Sequence, residues 1–409
     1  MNPTTVIATD LITPLGAYLR LRETGASSFL LESVERGRLG RYSWVGCGSE
    51  LADVGEAERC GEPVVGYLSY DHAARLEPTV PLPESGPDLP VSRFVVADTV
   101  VRFDHVRGMA EVLWGEAVQV EETLARTRPQ VPAGAGRTGP TRRLPGRHEY
   151  ERAVNRAKEH IRAGDAFQIV VSQRALRPTS ASAVDLYRTL RRINPSPYNF
   201  LLELDEVALI GSSPETLVKT DGARASVNPI AGTTQAGEGD AERLLASEKD
   251  RAEHVMLVDL GRNDLSRVCR AGTVRVHRFL QPERYSHVTH LVSEVAGELQ
   301  DGLGPFDVLR ACFPAGTVSG APKVRAMQII SELERYRRGP YAGAVGYALP
   351  DGTLDTCIAI RTIVLHDGVA LLQAGAGIVA DSAAHAEHEE CLRKLAALET
   401  AITLAETKR

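Results

Sequence analysis

Runs of apolar and β-branched residues gather in clusters along this chain, and the helical stretches fall between the clusters rather than after each strand. That spacing constrains the fold more than any other feature. A doubly wound parallel sheet needs a helix after nearly every strand, whereas clustered strands pair with near neighbours and leave the helices outside. Strand-like segments occur at 28–33, 42–45, 64–70 and 94–103, then at 166–173, 198–204, 208–212, 342–349, 355–365 and 369–375. Helical periodicity marks 148–163, with Val154, Ala157 and Ile161 on one stripe, and two longer stretches, 241–260 and 383–405. The expected fold is α+β, a large and mostly antiparallel β-sheet sandwich with flanking helices.

One segment breaks the pattern. Residues 128–147 are Gly, Pro and Arg with almost no apolar periodicity, and read as a linker between an N-terminal part, 1–127, and a larger region, 148–409. The balance of 47 Lys+Arg against 53 Asp+Glu gives a net charge of −6, without the basic stripe expected of a nucleic-acid binder. No apolar run reaches the roughly 18 residues that span a bilayer, and the first ten residues lack the basic flank and apolar core of a signal peptide. The six cysteines are scattered, with no CxxC and no Cys/His ligand spacing, which argues for reduced thiols and against zinc. The expected location is the cytoplasm.

Chemistry concentrates near the C-terminus. Glu387, Glu390 and Lys394 share one helix face, Ser382 is placed to cap that helix, and Gly375 and Gly377 end the preceding strand. Glycines let backbone N–H groups approach an anion closely, and a set of carboxylate oxygens suits Mg²⁺. By spacing alone the same face is equally a solvated one. Glu253 sits where its helix turns apolar, so it is either a metal ligand or an ion-pair partner of Lys249 or Arg251. His290 is an acid–base candidate or a structural histidine. Ala374-Gly-Ala-Gly-Ile378 lacks the third glycine of a dinucleotide fingerprint, and Gly316 to Lys323 lacks the spacing and the Ser/Thr of a Walker A loop.

Together, several long segments resemble the chorismate-utilising enzymes, in particular the anthranilate synthase component I group, the large chorismate-binding subunit. They include Phe167-Gln-Ile-Val-Val-Ser-Gln-Arg174, Ser213-Pro-Glu215, Pro229-Ile-Ala-Gly-Thr233 and Glu253-His-Val-Met-Leu-Val-Asp-Leu-Gly-Arg-Asn-Asp264. Phe313-Pro-Ala-Gly-Thr-Val-Ser-Gly-Ala-Pro-Lys323, Tyr341-Ala-Gly-Ala-Val-Gly346, Ile358-Ala-Ile-Arg361 and Gln373 to Ser382 follow in order. The resemblance implies an enzyme, a lyase of aromatic amino acid (tryptophan) biosynthesis. It would convert chorismate and ammonia, in the presence of Mg²⁺, to anthranilate and pyruvate through 2-amino-2-deoxyisochorismate. It implies that Glu253, Glu387 and Glu390 hold the metal and that Glu215 is the acid that protonates the departing C4 hydroxyl. Arg361, Tyr341 and the amides around Gly375 and Gly377 would bind the enolpyruvyl carboxylate. Lys394 would sit near the ring carboxylate, Gly232, Thr233, Thr317 and Gly320 would line the pocket, and His290 would serve the loss of pyruvate.

Sister reactions differ at two positions. Isochorismate and salicylate synthases of the family use a lysine where this chain has Gln168, which cannot act as a base. Aminodeoxychorismate synthases often carry a lysine where this chain has Ala231. Both point to ammonia adding at C2, with a 2-amino-2-deoxyisochorismate synthase or an aminodeoxychorismate synthase as alternatives. No cysteine stands in a glutamine-amidase setting, so the resemblance implies a separate glutamine amidotransferase subunit as the source of ammonia. Leu31, Glu32, Ser33 and Tyr42, with Asn194, Pro195, Ser196, Pro197 and Tyr198, resemble a tryptophan feedback site. The chain departs from the family at Thr234-Gln-Ala236, where Arg-Pro-Arg is usual, at Asn199, and in a compressed stretch at 48–62.

Overall fold

The computed structural model describes residues 6–33, 40–127, 130–134, 136–284 and 288–407. Two antiparallel sheets lie face to face. Across the larger one the strands run Val6–Ala8, Met109–Trp114, Thr99–Asp104, Tyr42–Gly48, Ser27–Glu32, Tyr198–Leu204, Val207–Ser213, Thr362–His366, Val369–Ile378, Gln168–Pro178 and Gly320–Ala321. Across the smaller they run Ile230–Gln235, Val288–Glu298, Arg224–Val227, Thr216–Asp221, Thr353–Ile358, Ala344–Ala348, Val64–Leu68, Ser92–Val96 and Glu50–Ala52. The α+β sandwich expected from the sequence is the one observed.

Alternation explains the layers. Along Tyr198–Leu204, Phe200, Leu202 and Leu204 enter the layer between the sheets, where they meet Val65, Tyr67 and Val345 of the smaller sheet, while Leu201 faces the opposite side. Helices Ala183–Ile193 and Ala384–Glu406 cover that opposite side with Leu186, Leu190, Leu395, Leu398 and Ile402. Glu248–Ser266 and Pro305–Cys312 cover the smaller sheet through Val258, Leu265, Phe306 and Leu309. Each fully buried aliphatic side chain of this kind contributes about 1.5–3 kcal/mol relative to exposure. Among the described residues no helix is long and apolar enough to cross a membrane.

Several boundaries differ from expectation, for identifiable reasons. The run 94–103 is two strands, Ser92–Val96 in the smaller sheet and Thr99–Asp104 in the larger. The run 355–365 is likewise split into Thr353–Ile358 and Thr362–His366, one in each sheet, with Arg361 between them at φ 49°. Apolar alternation continues across both corners, so periodicity sees one strand where the chain changes sheets. The stretch 241–260 is two helices, Asp240–Ala246 and Glu248–Ser266, because the extended Ser247 caps the second, its hydroxyl accepting the Asp250 amide at 3.2 Å. Ser382 does not cap the last helix; its hydroxyl accepts the Val379 amide at 3.1 Å, and Ala383 holds the cap position.

Part of the Gly- and Pro-rich segment is ordered as well. Arg142–Leu144 pairs with Arg174, Ala175 and Leu176, and the Gly139 amide donates to the Pro178 carbonyl at 3.2 Å; residues 128, 129 and 135 lie outside the described set. The compressed stretch at 48–62 holds the strand Glu50–Ala52 and the helix Val54–Arg59, closed by a capping box in which Asp53 and Glu56 exchange hydrogen bonds. The N-terminal strands are not a separate layer: they extend both sheets at the same end.

Candidate active site

Two of the sheet-changing corners lie side by side. Val207–Ser213 leaves the larger sheet through Pro214 and Glu215 to become Thr216–Asp221 of the smaller, and Thr353–Ile358 returns to the larger through Ala359, Ile360 and Arg361. They are stitched together: the Ile358 amide donates to the Glu215 carbonyl at 3.0 Å, the Ser212 amide to the Arg361 carbonyl at 3.2 Å, and the Ser213 hydroxyl to the Ile358 carbonyl at 2.7 Å. The departure of Thr362–His366 also leaves its longer neighbour, Val369–Ile378, unpaired on that side beyond Leu372. In an extended strand a residue's N–H and C=O share an edge. The Gly375 and Gly377 amides therefore lie on the edges of a strand whose Gly375 carbonyl receives the Lys394 ammonium at 2.8 Å.

The glycines are required by close approach. A Cβ on Gly375 would lie 2.9 Å from the Tyr341 hydroxyl, and one on Gly377 would collide with the Gln168 amide. Gly320, at φ 136°, packs its backbone on the Gln168 carbonyl and pairs with Ile169, which brings the preceding Thr317 to the same region. Lys323 anchors this segment by donating to Asp264 at 2.8 Å and to the Cys312 carbonyl at 3.1 Å. The lysine of the Walker-like stretch is thus a structural tie.

The charged groups sense one another across the cleft. Glu215 is enclosed by protein yet keeps part of its surface open, and burial lifts its carboxyl to about 7, against the lowering influence of Thr317, Arg361 and Lys394. Burial lowers the Arg361 guanidinium, an effect that Glu215 counters. His290 is held below the ordinary histidine value by burial, with Arg361 adding to the effect and a contact from Nδ1 to the Gly232 carbonyl at 3.1 Å opposing it. A carbonyl only accepts, so Nδ1 carries the proton and Nε2 is the acceptor nitrogen. Gly232 adopts φ 72°, and Thr233 pairs through its backbone with His290; the Thr233 side chain lies outside the described residues.

Glu253 is raised by burial first, then by the like charges of Asp250 and Glu390, with Gln168 and Lys249 tempering the shift. Among the described residues it forms no ion pair with Lys249 or Arg251. Glu390 instead pairs with Lys394 at 2.8 Å. Glu387 lies one turn earlier on the same helix, where its charge reaches Tyr150 and Cys391. Among the described residues no three acidic, His or Cys side chains enclose a cation by themselves. The donor chemistry nonetheless fits Mg²⁺, which takes one or two carboxylates and keeps waters or substrate oxygens, and the buried Gln168 carbonyl oxygen beside Glu253 has no hydrogen-bond partner among the described residues.

The second cluster read from the sequence also assembles. Glu32 pairs in register with Asn199 and Ser43, its carboxylate accepting from the Tyr187 hydroxyl and pairing with Arg191 at 2.6 Å. Leu31 is opposite Phe200, and the buried Ser33 hydroxyl has no hydrogen-bond partner among the described residues. Asn194 donates to the Ser212 carbonyl at 3.3 Å, Asn199 binds the Ser196 carbonyl at 2.7 Å, Pro195 is exposed and Pro197 buried. The Tyr198 hydroxyl reaches Asp355 at 3.0 Å, and the Tyr42 ring lies under the guanidinium groups of Arg41 and Arg102.

A sandwich of this topology with acid, base and carboxylate groups at its seam is that of a chorismate-utilising enzyme. A family model described as chorismate binding enzyme matches residues 26–400, and the chain belongs to that family. It is 43% identical to anthranilate synthase component 1 of Thermus thermophilus, over 97% of this chain and 96% of that protein. It is 44% identical to anthranilate synthase component 1 of Streptomyces coelicolor, over 97% and 88%. Among solved structures, anthranilate synthase component I from Streptococcus pneumoniae superposes with a TM-score of 0.79 at 31% identity, covering 97% of this chain and all of that one. The menaquinone-specific isochorismate synthase from Escherichia coli, at 22% identity and TM-score 0.79 over 98% and 94% of the two chains, shares the fold.

Proposed function

We propose that this chain is the chorismate-converting component of an anthranilate synthase, making anthranilate and pyruvate from chorismate and ammonia. The observation that carries this reading is Glu215, a carboxyl raised by burial to about 7 on the corner beside that of Arg361, whose charge reaches both Glu215 and His290. Such a carboxyl keeps its proton near neutrality and can give it to a poor leaving group. Ammonia adds at C2, the ring double bond shifts, and the C4 hydroxyl departs as water with the Glu215 proton. His290, neutral because burial lowers its pKa, takes the ring proton on Nε2 and returns it to the departing enolpyruvyl group, which leaves as pyruvate. Arg361, Tyr341 and the Gly375 and Gly377 amides hold the enolpyruvyl carboxylate, and Lys394 lies near the ring carboxylate.

Glu253 and Glu390, with Glu387 beside them, would hold Mg²⁺. The ion would supply charge neutralisation for a ring carboxylate that otherwise could not be buried beside acidic groups. Gln168 in place of a base leaves water unactivated and favours ammonia. A separate glutamine amidotransferase subunit would deliver that ammonia in the cytoplasm, and tryptophan would bind at Leu31 to Ser33, Tyr42 and Asn194 to Tyr198.

Incubation with chorismate, ammonium and Mg²⁺, with product mass and anthranilate fluorescence followed together, tests the reading. Anthranilate supports it. Accumulation of 2-amino-2-deoxyisochorismate or of 4-amino-4-deoxychorismate as the end product replaces it with the corresponding sister activity.

A further inference from the structure

Behind the pocket lies a charged assembly that the chemistry above does not use. Arg338 is 3% exposed. Its Nε and Nη2 grip the two oxygens of Glu334, four residues earlier and just past the end of the helix Lys323–Leu333, at 2.9 and 2.7 Å. Nη1 donates to the Val318 carbonyl at 2.7 Å and Nη2 also to the Val170 carbonyl at 2.8 Å. The guanidinium lies over the Tyr70 ring at 4.5 Å and the Tyr341 ring at 5.7 Å. Asp71 fixes the backbone, accepting the Arg338 and Gly339 amides at 3.1 and 3.0 Å.

Three of these contacts are next to residues of the pocket. Val318 follows Thr317, Val170 stands two residues from Gln168, and Tyr341 places its hydroxyl against Gly375. Glu334 extends the reach by accepting both the amide and the hydroxyl of Ser172 at 2.8 Å, and Ser172 is the register partner of Gly375. A buried ion pair adds little net stability compared with apolar residues of the same shape, so stability alone is a weak account of this one. Geometry is a stronger account, because a guanidinium fork can fix several elements at set distances.

We propose that Arg338, gripped by Glu334, is a positioning residue that sets the Tyr341 phenol against Gly375. The proposal rests on the reading of Tyr341 as a substrate-binding residue. Lysine at this position keeps the charge but cannot meet Glu334, Val170 and Val318 at once. Arg338→Lys should therefore fold and lose kcat/KM for chorismate by about tenfold or more, the scale on which small misplacements act.

The test is a double-mutant cycle of Arg338→Lys with Tyr341→Phe, reading kcat and KM for chorismate, with circular dichroism and thermal melting of each variant. Because Arg338 acts through Tyr341, adding Arg338→Lys to Tyr341→Phe should cost much less than it does in the parent. Full additivity would overturn the positioning role while leaving Tyr341 in the pocket. Parental kcat/KM in Tyr341→Phe would overturn the pocket assignment and the proposal with it. Should Arg338→Lys fail to fold, Asp71→Asn takes its place in the cycle, because the amide keeps one acceptor for the Arg338 and Gly339 amides. Non-additive loss with Tyr341→Phe supports the proposal, and parental or additive behaviour ends it.

Discussion

Glu215 and Arg361 occupy adjacent corners of the sandwich, and each has its carbonyl held by the strand the other corner interrupts: Ile358 on Glu215 at 3.0 Å, Ser212 on Arg361 at 3.2 Å. Glu215 and Arg361 thus cannot drift apart without breaking these two backbone hydrogen bonds. Burial raises the Glu215 carboxyl, and Thr317, then Arg361 and Lys394, hold it at about 7.

A pH dependence follows. The active form of an acid catalyst is protonated, so turnover should fall as pH rises through about 7. The stability effect has the same sign. A carboxyl raised in the folded state favours folding while it keeps its proton, and that advantage is lost between the unfolded value near 4.5 and about 7. Glu215→Gln should abolish activity yet raise the melting temperature at pH 8, by a stabilisation on the order of 1–3 kcal/mol. Calorimetry of both proteins at pH 5 and 8 checks this, and an equal shift at both pH values would contradict it.

Metal should act on the same ledger as Glu253. Burial and the charges of Asp250 and Glu390 raise its carboxyl, so a dication there relieves repulsion. Chelator should remove activity and Mg²⁺ restore it. Mg²⁺ should also raise the melting temperature, with up to about 2.7 kcal/mol at a hundredfold excess over Kd. Glu253→Gln should melt higher than the metal-free parent and lose the Mg²⁺ increment. A retained increment would take Glu253 out of the metal site.

His290 should divide the reaction. Its Nδ1 contacts the Gly232 carbonyl and burial lowers its pKa, so replacement by methionine should leave Glu215 and the amination in place. His290→Met should consume chorismate with ammonium and accumulate 2-amino-2-deoxyisochorismate, with anthranilate formation reduced about 10²- to 10⁴-fold. Product mass over time distinguishes the two steps, and anthranilate at the parental rate would make His290 structural.

Glutamine should be no substrate for this chain alone. Five of the six cysteines, Cys47, Cys269, Cys312, Cys357 and Cys391, are buried, and burial pushes their thiols upward, Cys391 to about 11, which is opposite to what a thiolate nucleophile needs; the exposed Cys60 donates its thiol to the Ala57 carbonyl at 3.2 Å and stands in no amidase motif. Ammonium salts should support turnover; release of glutamate from glutamine by the purified chain would count against a separate amidotransferase.

Much of this was legible in the sequence, but unevenly. The bounds of Tyr198–Leu204 match expectation residue for residue, and the last helix, Ala384–Glu406, is within one residue of it at each end. The corners were not legible, because Val95, Val100, Ile358 and Ile363 keep the same apolar rhythm on both sides of each change of sheet. Glu215 and Arg361 could be named by resemblance, yet nothing in their spacing, 146 residues apart, reveals that they share a seam. Arg338 was missed altogether. Its signal is that an arginine two residues before Pro340 carries no local acidic partner other than Glu334 at i−4, a pattern that equally describes a surface helix.

The strands before residue 128 complete both sheets at one end, beside Tyr198–Leu204 and Ala344–Ala348. Cutting the chain at its Gly- and Pro-rich segment would bare two strand edges and the apolar faces behind them at once. Residues 148–409 expressed alone should aggregate, and should regain solubility when 1–127 is supplied in trans, as light scattering would report. For inheritance the consequence is sharper. The segment that looks like a joint between modules is a poor place for recombination, so the strands before residue 128 and those after it should descend together, and new specificity should arise by point substitution within a shared sandwich.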